Sequence, residues 1–410
     1  MRFQILYNHF KQIRSRWFVI PVLLLTILFV GCAHLSGVSH KKAPPSFVIV
    51  EGNPRPFVKG EIVRMSTGHA VSFEEMMEDL RQARIVYVGE THVNRAHHDI
   101  QLMVLQGIFE KNQSVRVGME MFERSYQPLL DRWSTGGFTE ETFLKKVNWK
   151  ENWSYDFSLY RKILHFIREN RIGFTALNVP SKIVKKVATQ GLASLTEEER
   201  NQIAKDIDLS DPEHRAFVKE RFAAHDTDDL HGFDNFYEAQ CVWDGSMAGS
   251  VEQVIQSVTE EVPVVVFAGN GHIEKFGIPK RVQRRVNVPY MTVMPVSVGE
   301  TVKEAAADYI WVTKEVKMPK HPLIGIRIKP VTEGDGLLIE GVMPGSPGEA
   351  AGIQENDILI SIDGRPVSSV SDIHDVVLYS EAPPTHLFKI KRGEETLELP
   401  VTPRRERDRE

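Results

Sequence analysis

Residues 84–99 read RIVYVGETHVNRAHHD. The run Ile85-Val86-Tyr87-Val88 is short, apolar and rich in β-branched residues, the pattern of a strand buried on both faces. Gly89 ends it, and Glu90, Thr91 and His92 follow at once. His97, His98 and Asp99 fall in the first turns of an expected helix. Open α/β sheets bind ligands beyond the carboxyl ends of their strands, and sequence order alone puts Glu90 and His92 there. Residues 262–268, VPVVVFA, repeat the grammar and close on Gly269-Asn270-Gly271-His272. Two strands that each end in Gly-x-x-His would set two imidazoles on one edge of a parallel sheet. Residues 115–120, VRVGME, bring Glu120 to the same edge. His92, His272 and Glu90 are therefore candidate metal ligands, because two histidines and a carboxylate suit a transition metal. Glu90, His92, Glu120 and His272 together form a candidate catalytic set. A lone histidine after a strand is more often a hydrogen-bonded loop residue; the repeated spacing is what argues for a site.

The chain has 410 residues, with 42% hydrophobic and 26% charged, which suits a globular body with a substantial core. Net charge is −5 and the body has no basic block, which argues against nucleic acid as a partner. The amino terminus differs. Arg2, Lys11, Arg14 and Arg16 precede an apolar run from Trp17 to Val30, interrupted by Pro21. That run is short for a membrane span of about 20 residues, and the layout is that of an export signal. Phe29-Val30-Gly31-Cys32 resembles the bacterial lipobox, with Phe29 where Leu is usual, so Cys32 is the expected lipidation site. The boundaries expected are a lipoprotein signal peptide over 1–31 and a tether and amino-terminal segment over 32–59, including HKKAPP at 40–45. Ala33 after the cysteine favours the outer membrane, facing the periplasm. The second cysteine, Cys241, is expected to pack as a small apolar side chain.

Alternating strands and helices follow. Ser72 with Glu75 is a capping-box signal for a helix over 73–82. Residues 97–110 and 126–133 are also expected helices. Residues 149–160, WKENWSYDFSLY, hold two Trp, two Tyr and one Phe. They are either core residues of a helix or one wall of a pocket for a flat apolar ligand. A tyrosine phenolate there is also a candidate axial haem ligand. Residues 172–177 are the next strand, and 181–260 is read as helical almost throughout. Within it His225, Asp226, Asp228, Asp229 and His231 form an acidic, histidine-bearing patch, either a helix-end loop or a metal site. The fold class expected is α/β: a three-layer, largely parallel sheet with helices on both faces over 60–300. A linker over 301–320 then leads to a small β-rich domain over 321–403 and a charged tail over 404–410.

SPGEAAGIQENDILISIDGRPV, residues 346–367, resembles the PDZ domains of bacterial protease-associated proteins. The resemblance implies that a loop mapping to Leu323, Ile324, Gly325 and Ile326 binds an extended or C-terminal peptide, by strand addition. GETHVNRAHHDIQ (89–101), GMEMF (118–122), AQCVWDGSMA (239–248) and AGNGH (268–272) resemble the ChaN-type haem-binding lipoproteins. These belong to the haem-binding uptake and TIKI superfamily, which includes metalloproteases and erythromycin-esterase-like enzymes. The resemblance implies a three-layer fold, haem binding between two protomers of a homodimer, and the Gly-x-x-His pair in the superfamily pocket. The axial ligand is left open among Tyr126, Tyr155, Tyr160 and His97.

Three functions stand at this point. The first is a membrane-tethered lipoprotein that takes up or hands on haem. The second is a hydrolase in which Glu90, His92, Glu120 and His272 hold a divalent ion or act as base. The third is a PDZ adaptor with an inactive α/β body.

Overall fold

The computed structural model describes residues 46–223, 230–314, 324–331, 336–377 and 385–404. The amino-terminal signal with Cys32, the 40–45 tether, Leu323, residues 225–229 of the acidic patch and the end of the tail lie outside them, as does the His231 side chain. The strands in chain order are β1 (Phe47–Val50), β2 (Phe57–Val58), β3 (Ile62–Arg64), β4 (His69–Val71), β5 (Ile85–Val88), β6 (Arg116–Glu123), β7 (Gly173–Asn178), β8 (Val264–Phe267), β9 (Tyr290–Ser297), β10 (Thr301–Val302) and β11 (Tyr309–Thr313). The remaining six are β12 (Ile326–Pro330), β13 (Leu337–Val342), β14 (Ile358–Ile362), β15 (Arg365–Pro366), β16 (His386–Arg392) and β17 (Glu395–Val401).

The body is built on an eight-stranded sheet in the order β4-β3-β11-β9-β5-β8-β6-β7. From β11 to β7 every pairing is parallel, and only β3 and β4 run against their neighbours. Side chains alternate across a strand, so each central strand feeds two cores. Val86 and Val88 of β5 join Val265 and Phe267 of β8 on one face. Ile85, Tyr87, Val264 and Val266 go to the other. Burying such a side chain stabilises by about 1.5–3 kcal/mol, which is why these runs are apolar throughout rather than alternating.

The first face is covered by Phe73–Leu80, Arg95–Asn112, Gln127–Ser134 and Ser158–Glu169. The second is covered by Leu230–Gln256, through Met247, Ala248 and Val251, and by Ile278–Arg285. This is the three-layer α/β arrangement expected. One boundary differs. β11 pairs with β9 and β3 inside the main sheet, so residues 309–313 belong to the body and not to the 301–320 linker. A five-residue strand buried between neighbours gives too short a pattern to separate from a connection. The 149–160 aromatic run is also not one helix. Trp149–Asn152 ends, Ser154 takes a left-handed φ of 70°, and a new helix begins at Ser158.

The carboxyl-terminal domain is an antiparallel sheet in the order β12-β13-β14-β16-β17, with β15 pairing β14. Asp363 and Gly364 both have positive φ between β14 and β15, as a tight hairpin turn needs. Pro347–Ala350 and Val370–Val377 are its helices.

The capping box at Ser72 is formed in both directions. Ser72 N–H donates to Glu75 Oε2 at 2.8 Å, and Glu75 N–H donates to Ser72 Oγ at 3.1 Å. Ser72→Ala removes one half. It is expected to cost about 1 kcal/mol, read as a lower urea midpoint with an unchanged slope; an unmoved midpoint would show that the helix is held by packing alone.

Candidate functional site

The two Gly-x-x-His segments meet because β5 and β8 are parallel neighbours, with Val88 opposite Phe267. Asn270 N–H donates to Glu90 O at 2.8 Å and ties the loops together. The approach needs glycine: a Cβ on Gly89 would lie 2.1 Å from Asn270 Oδ1. A Cβ on Gly269 would lie 3.1 Å from His92 Cε1 and 3.6 Å from Glu120 Oε2. His92 and Glu120 therefore flank Gly269 from two sides.

Glu90 is almost wholly buried, at 1% exposed. His92 donates from Nδ1 to Glu90 Oε1 at 2.6 Å, and Tyr160 donates its hydroxyl to the same oxygen at 3.0 Å. His98 Nδ1 lies 2.7 Å from Oε2. Burial alone would raise the Glu90 carboxyl, but the charge of His98 and the hydrogen bond from His92 hold it well below the ordinary range. Glu90 thus stands behind His92 as its orienting acid. Its oxygens face His92, His98 and Tyr160, so a metal ion on Glu90 would have to displace one of them. His92 is left with Nε2 free and with a ring whose pKa is raised, burial being outweighed by Glu90 and Glu120.

A matching pair stands opposite. His272 donates from Nδ1 to Asp244 Oδ1 at 2.6 Å, and its Nε2 lies 3.6 Å from Glu120 Oε1. Burial lowers His272, but Glu120 and Asp244 outweigh it and push the imidazole up to about 9. Asp244 also faces His214 Nε2 at 3.2 Å, and Arg281 donates from Nη2 to His214 Nδ1 at 3.1 Å. Against the cost of burial, His272 and His214 hold the Asp244 carboxyl well below its usual value. Glu120 accepts from Gly269 N–H at 2.7 Å. The structure therefore brings together Glu90, His92, Glu120 and His272, with Asp244 added, as two histidine–carboxylate pairs, His92–Glu90 and His272–Asp244, around Glu120. Among the described residues, no group of three or more His, Cys, Asp or Glu is arranged to hold a metal ion.

An aromatic wall closes the His92 side. The Trp153 ring centroid lies 4.9 Å from that of His92, and the Tyr155 centroid 4.8 Å. Both rings are half-buried. Burial, then Glu120 and Glu90, raise the Tyr155 phenol. The left-handed Ser154 turns these two rings out of the helical register, which the spacing of the run did not reveal. The Trp153 ring also lies edge-on to buried Tyr160, with centroids 6.2 Å apart.

The other haem candidates are placed differently. His97 is fully buried; Thr91 N–H donates to its Nδ1 at 2.9 Å, and its Nε2 donates to Thr313 Oγ1 at 3.0 Å. Burial, helped by His98, pushes it down to about 3. Both ring nitrogens of His97 are thus engaged, and either contact would have to break before this side chain could hold a haem iron. Tyr160 is fully buried with its hydroxyl on Glu90, and the Tyr126 hydroxyl accepts from Asn152 Nδ2 at 2.6 Å.

Sequence reasoning assigned no role to His98, His214 or Asp244. Asp244 carried a signal: it shares a helical face with Cys241, Met247, Ala248 and Val251, all buried, and an acid at a core-facing position of that period is a flag. Cys241 is itself fully buried, 3.7 Å from His214 Nδ1, and burial pushes its thiol up to about 11.

In the carboxyl-terminal domain, Ile324 O accepts from Gly348 N–H and Gly325 O from Met343 N–H, each at 2.8 Å. Gly325 has φ +79°, and a Cβ there would lie 2.2 Å from Ser346 Cβ. Among the described strands β12 pairs only with β13, which leaves its other edge open.

A family model described as haem-binding uptake, Tiki superfamily, ChaN, matches residues 76–282. A PDZ-domain model matches residues 338–392. Among solved structures, the chain is similar to ChaN of Campylobacter jejuni with cofacially bound heme, at TM-score 0.51 and 18% identity, over 61% of this chain and 95% of that one. At that identity the likeness is one of fold. The chain is also similar to serine protease HTRA3 of Homo sapiens, 29% identical over 106 residues, covering 22% of this chain and 23% of that protein. Serine protease HTRA1 of Xenopus tropicalis is 35% identical over 101 residues, or 21% of this chain and 22% of that protein. The chain thus spans less than a quarter of the length of these curated relatives.

Asp244→Asn removes the negative charge that favours the His272 imidazolium. The His272 midpoint, followed by NMR of its ring protons, is expected to fall by at least about one unit from its raised value. In the parent chain, the raised value means that stability from this ring is full below about pH 6.5 and is lost as pH rises through about 9. A midpoint unmoved by the substitution would mean that Asp244 does not govern this ring.

Proposed function

The chain belongs to the haem-binding uptake, ChaN, family of the Tiki superfamily and carries a PDZ domain, and from that premise we propose that it binds haem against the wall formed by Trp153 and Tyr155 beside His92. The contact of these two rings with the His92 imidazole carries the reading. A flat macrocycle needs apolar ring faces and one donor atom for its iron. Tyr155 is the expected tyrosine that lies at the wall and has no hydrogen bond to its hydroxyl among the described residues. His92 offers Nε2, because Glu90 holds Nδ1. A carboxylate behind a histidine fixes its tautomer and raises its basicity. These features fit haem, with Tyr155 or His92 as the axial ligand. When bound, haem would supply an iron centre whose ligands can exchange.

In this reading the protein handles haem or iron in the bacterial cell envelope. Support comes from the export-signal layout of the first 31 residues and the lipobox at Cys32, which would leave the body lipid-anchored, with the outer membrane, periplasmic side, as the favoured site. The PDZ domain supplies a peptide-binding edge at β12.

A second reading, hydrolysis, is favoured by one observation: the two histidine–carboxylate pairs that face Glu120. There His92 would act as base, oriented by Glu90, and the His272 imidazolium would stabilise developing negative charge. Any divalent ion would have to recruit Glu120 and the Nε2 atoms of His92 and His272, breaking the contact between His272 and Glu120.

Hemin titration of the exported form is expected to produce a shifted Soret band. Tyr155→Phe or His92→Ala should change that spectrum, and Glu90→Gln should weaken affinity by about tenfold. No Soret shift in the parent protein overturns the haem reading. Hydrolysis of a p-nitrophenyl ester that His92→Ala abolishes would favour the second.

A further inference from the structure

The PDZ domain is not free of the body. Its helix Val370–Val377 is pinned through three side chains. Asp372 pairs with Arg161, and His374 donates from Nδ1 to Asp156. Asp375 Oδ1 lies 2.8 Å from Arg95 Nη1, and its Oδ2 lies 3.8 Å from Arg161. These groups are largely desolvated: the side chains of Asp156, Arg161, Asp372 and Asp375 are 14%, 21%, 13% and 23% exposed. Ion pairs so placed are held more firmly than exposed ones, and removing one partner is costly.

The body residues in this clasp are neighbours of the site. Asp156 follows Tyr155, and Arg161 follows Tyr160, the residue that donates to Glu90. Arg95 opens the Arg95–Asn112 helix, directly after its cap Asn94 in the loop from His92. The clasp thus grips the segments that carry the aromatic wall, the Glu90 brace and the His92 loop.

The PDZ side has the same economy. Asp372 also accepts from Ser368 N–H at 2.7 Å and Ser369 N–H at 2.8 Å, which ties the start of its helix to the carboxylate that holds Arg161. On the opposite face, Ile373 and Val376 share an apolar cluster with Ile324, against which Ile326 and Ile328 also pack. One short helix therefore touches the body with its acidic face and, with its apolar face, joins the cluster against which β12 packs. A strand added along β12 would press on the side of that helix.

We propose that this helix links the two sites: a peptide carboxyl terminus bound along β12 and a ligand bound at the Trp153–Tyr155 wall change each other's affinity. Linkage of this kind is reciprocal. The proposal rests on reading the wall as a ligand face, but the clasp can be tested without that ligand.

The test uses the full chain and reads hydrogen–deuterium exchange over residues 153–160 with no ligand present. Asp375→Arg sets like charges against Arg95 and Arg161 and is expected to speed exchange there by at least about fivefold. Asp375→Asn, a milder change, should act in the same direction. Arg95→Asp combined with Asp375→Arg restores an opposed pair at 95 and 375 but leaves Arg161 facing a like charge, so exchange should return part of the way. Unchanged exchange in both single variants overturns the proposal. In hemin titration, Asp375→Arg should weaken binding by at least about fivefold, with partial recovery in the double variant; equal affinity overturns it. Hemin failing to bind the parent chain overturns the haem reading, and the exchange result then decides the clasp alone. Finally, a C-terminal pentapeptide selected by phage display on the full chain should alter exchange over 153–160. A library that yields no binder, or a binder that leaves that exchange unmoved, overturns the linkage.

Discussion

The hydrogen bond from Asn270 N–H to Glu90 O, 2.8 Å long, is the contact on which the site depends. It can form only because β5 and β8 are adjacent, parallel and in register at their ends. It also needs two glycines, since Asn270 Oδ1 already occupies the place of a Cβ on Gly89. With the loops joined, equal Gly-x-x-His spacing becomes equal placement. His92 and His272 come to face Glu120 from neighbouring strands, each with its own acid behind it. A larger residue at Gly89 would push Asn270 away and part the loops, while one at Gly269 would press directly on the His92 ring.

The charges behind the histidines make this edge part of the stability of the molecule as well as of its chemistry. Glu90 and Asp244 are each 1% exposed. A carboxylate so placed is tolerable only while its partners remain, and deleting one partner leaves a buried charge at a cost of about 3–5 kcal/mol. Glu90 is shared among His92, His98 and Tyr160, and Asp244 among His272, His214 and Arg281. Each acid therefore couples a strand-end histidine to helices on one face of the sheet. This arrangement fixes the direction of each imidazole more tightly than loop backbone alone would.

Much of this was legible from residue order. Apolar β-branched runs ending in glycine identified the strands, and parallel strands bring their carboxyl ends to one edge, so His92, His272, Glu90 and Glu120 could be placed without coordinates. Direction was not legible. Nothing in the spelling of the 84–99 stretch says that Glu90 turns back toward Tyr160. Adjacent histidines in a helix point to different neighbours: His98 meets Glu90, while His97 meets Thr313. Likewise, Tyr155 and Tyr160 looked equivalent until a left-handed Ser154 broke the aromatic run. Residues 309–312 read as a strand, but their membership of the main sheet did not, because β11 pairs with partners far away in sequence. The PDZ turn at Asp363-Gly364 was the opposite case, since a two-residue turn with positive φ at both positions selects its own residues.

Cys241 gives a different kind of handle. Carried by the Leu230–Gln256 helix, its sulfur is sealed among Phe233 and Tyr237 of that helix and Val218 of Pro212–Ala223, and a thiol with a pKa near 11 is scarcely ever a thiolate at neutral pH. Peroxide and disulfide reagents find nothing to attack while that layer is in place. Alkylation of this sulfur would therefore occur only during excursions that part the Pro212–Ala223 and Leu230–Gln256 helices. Its rate would count those openings, and the layer that guards the thiol is the one that carries Asp244.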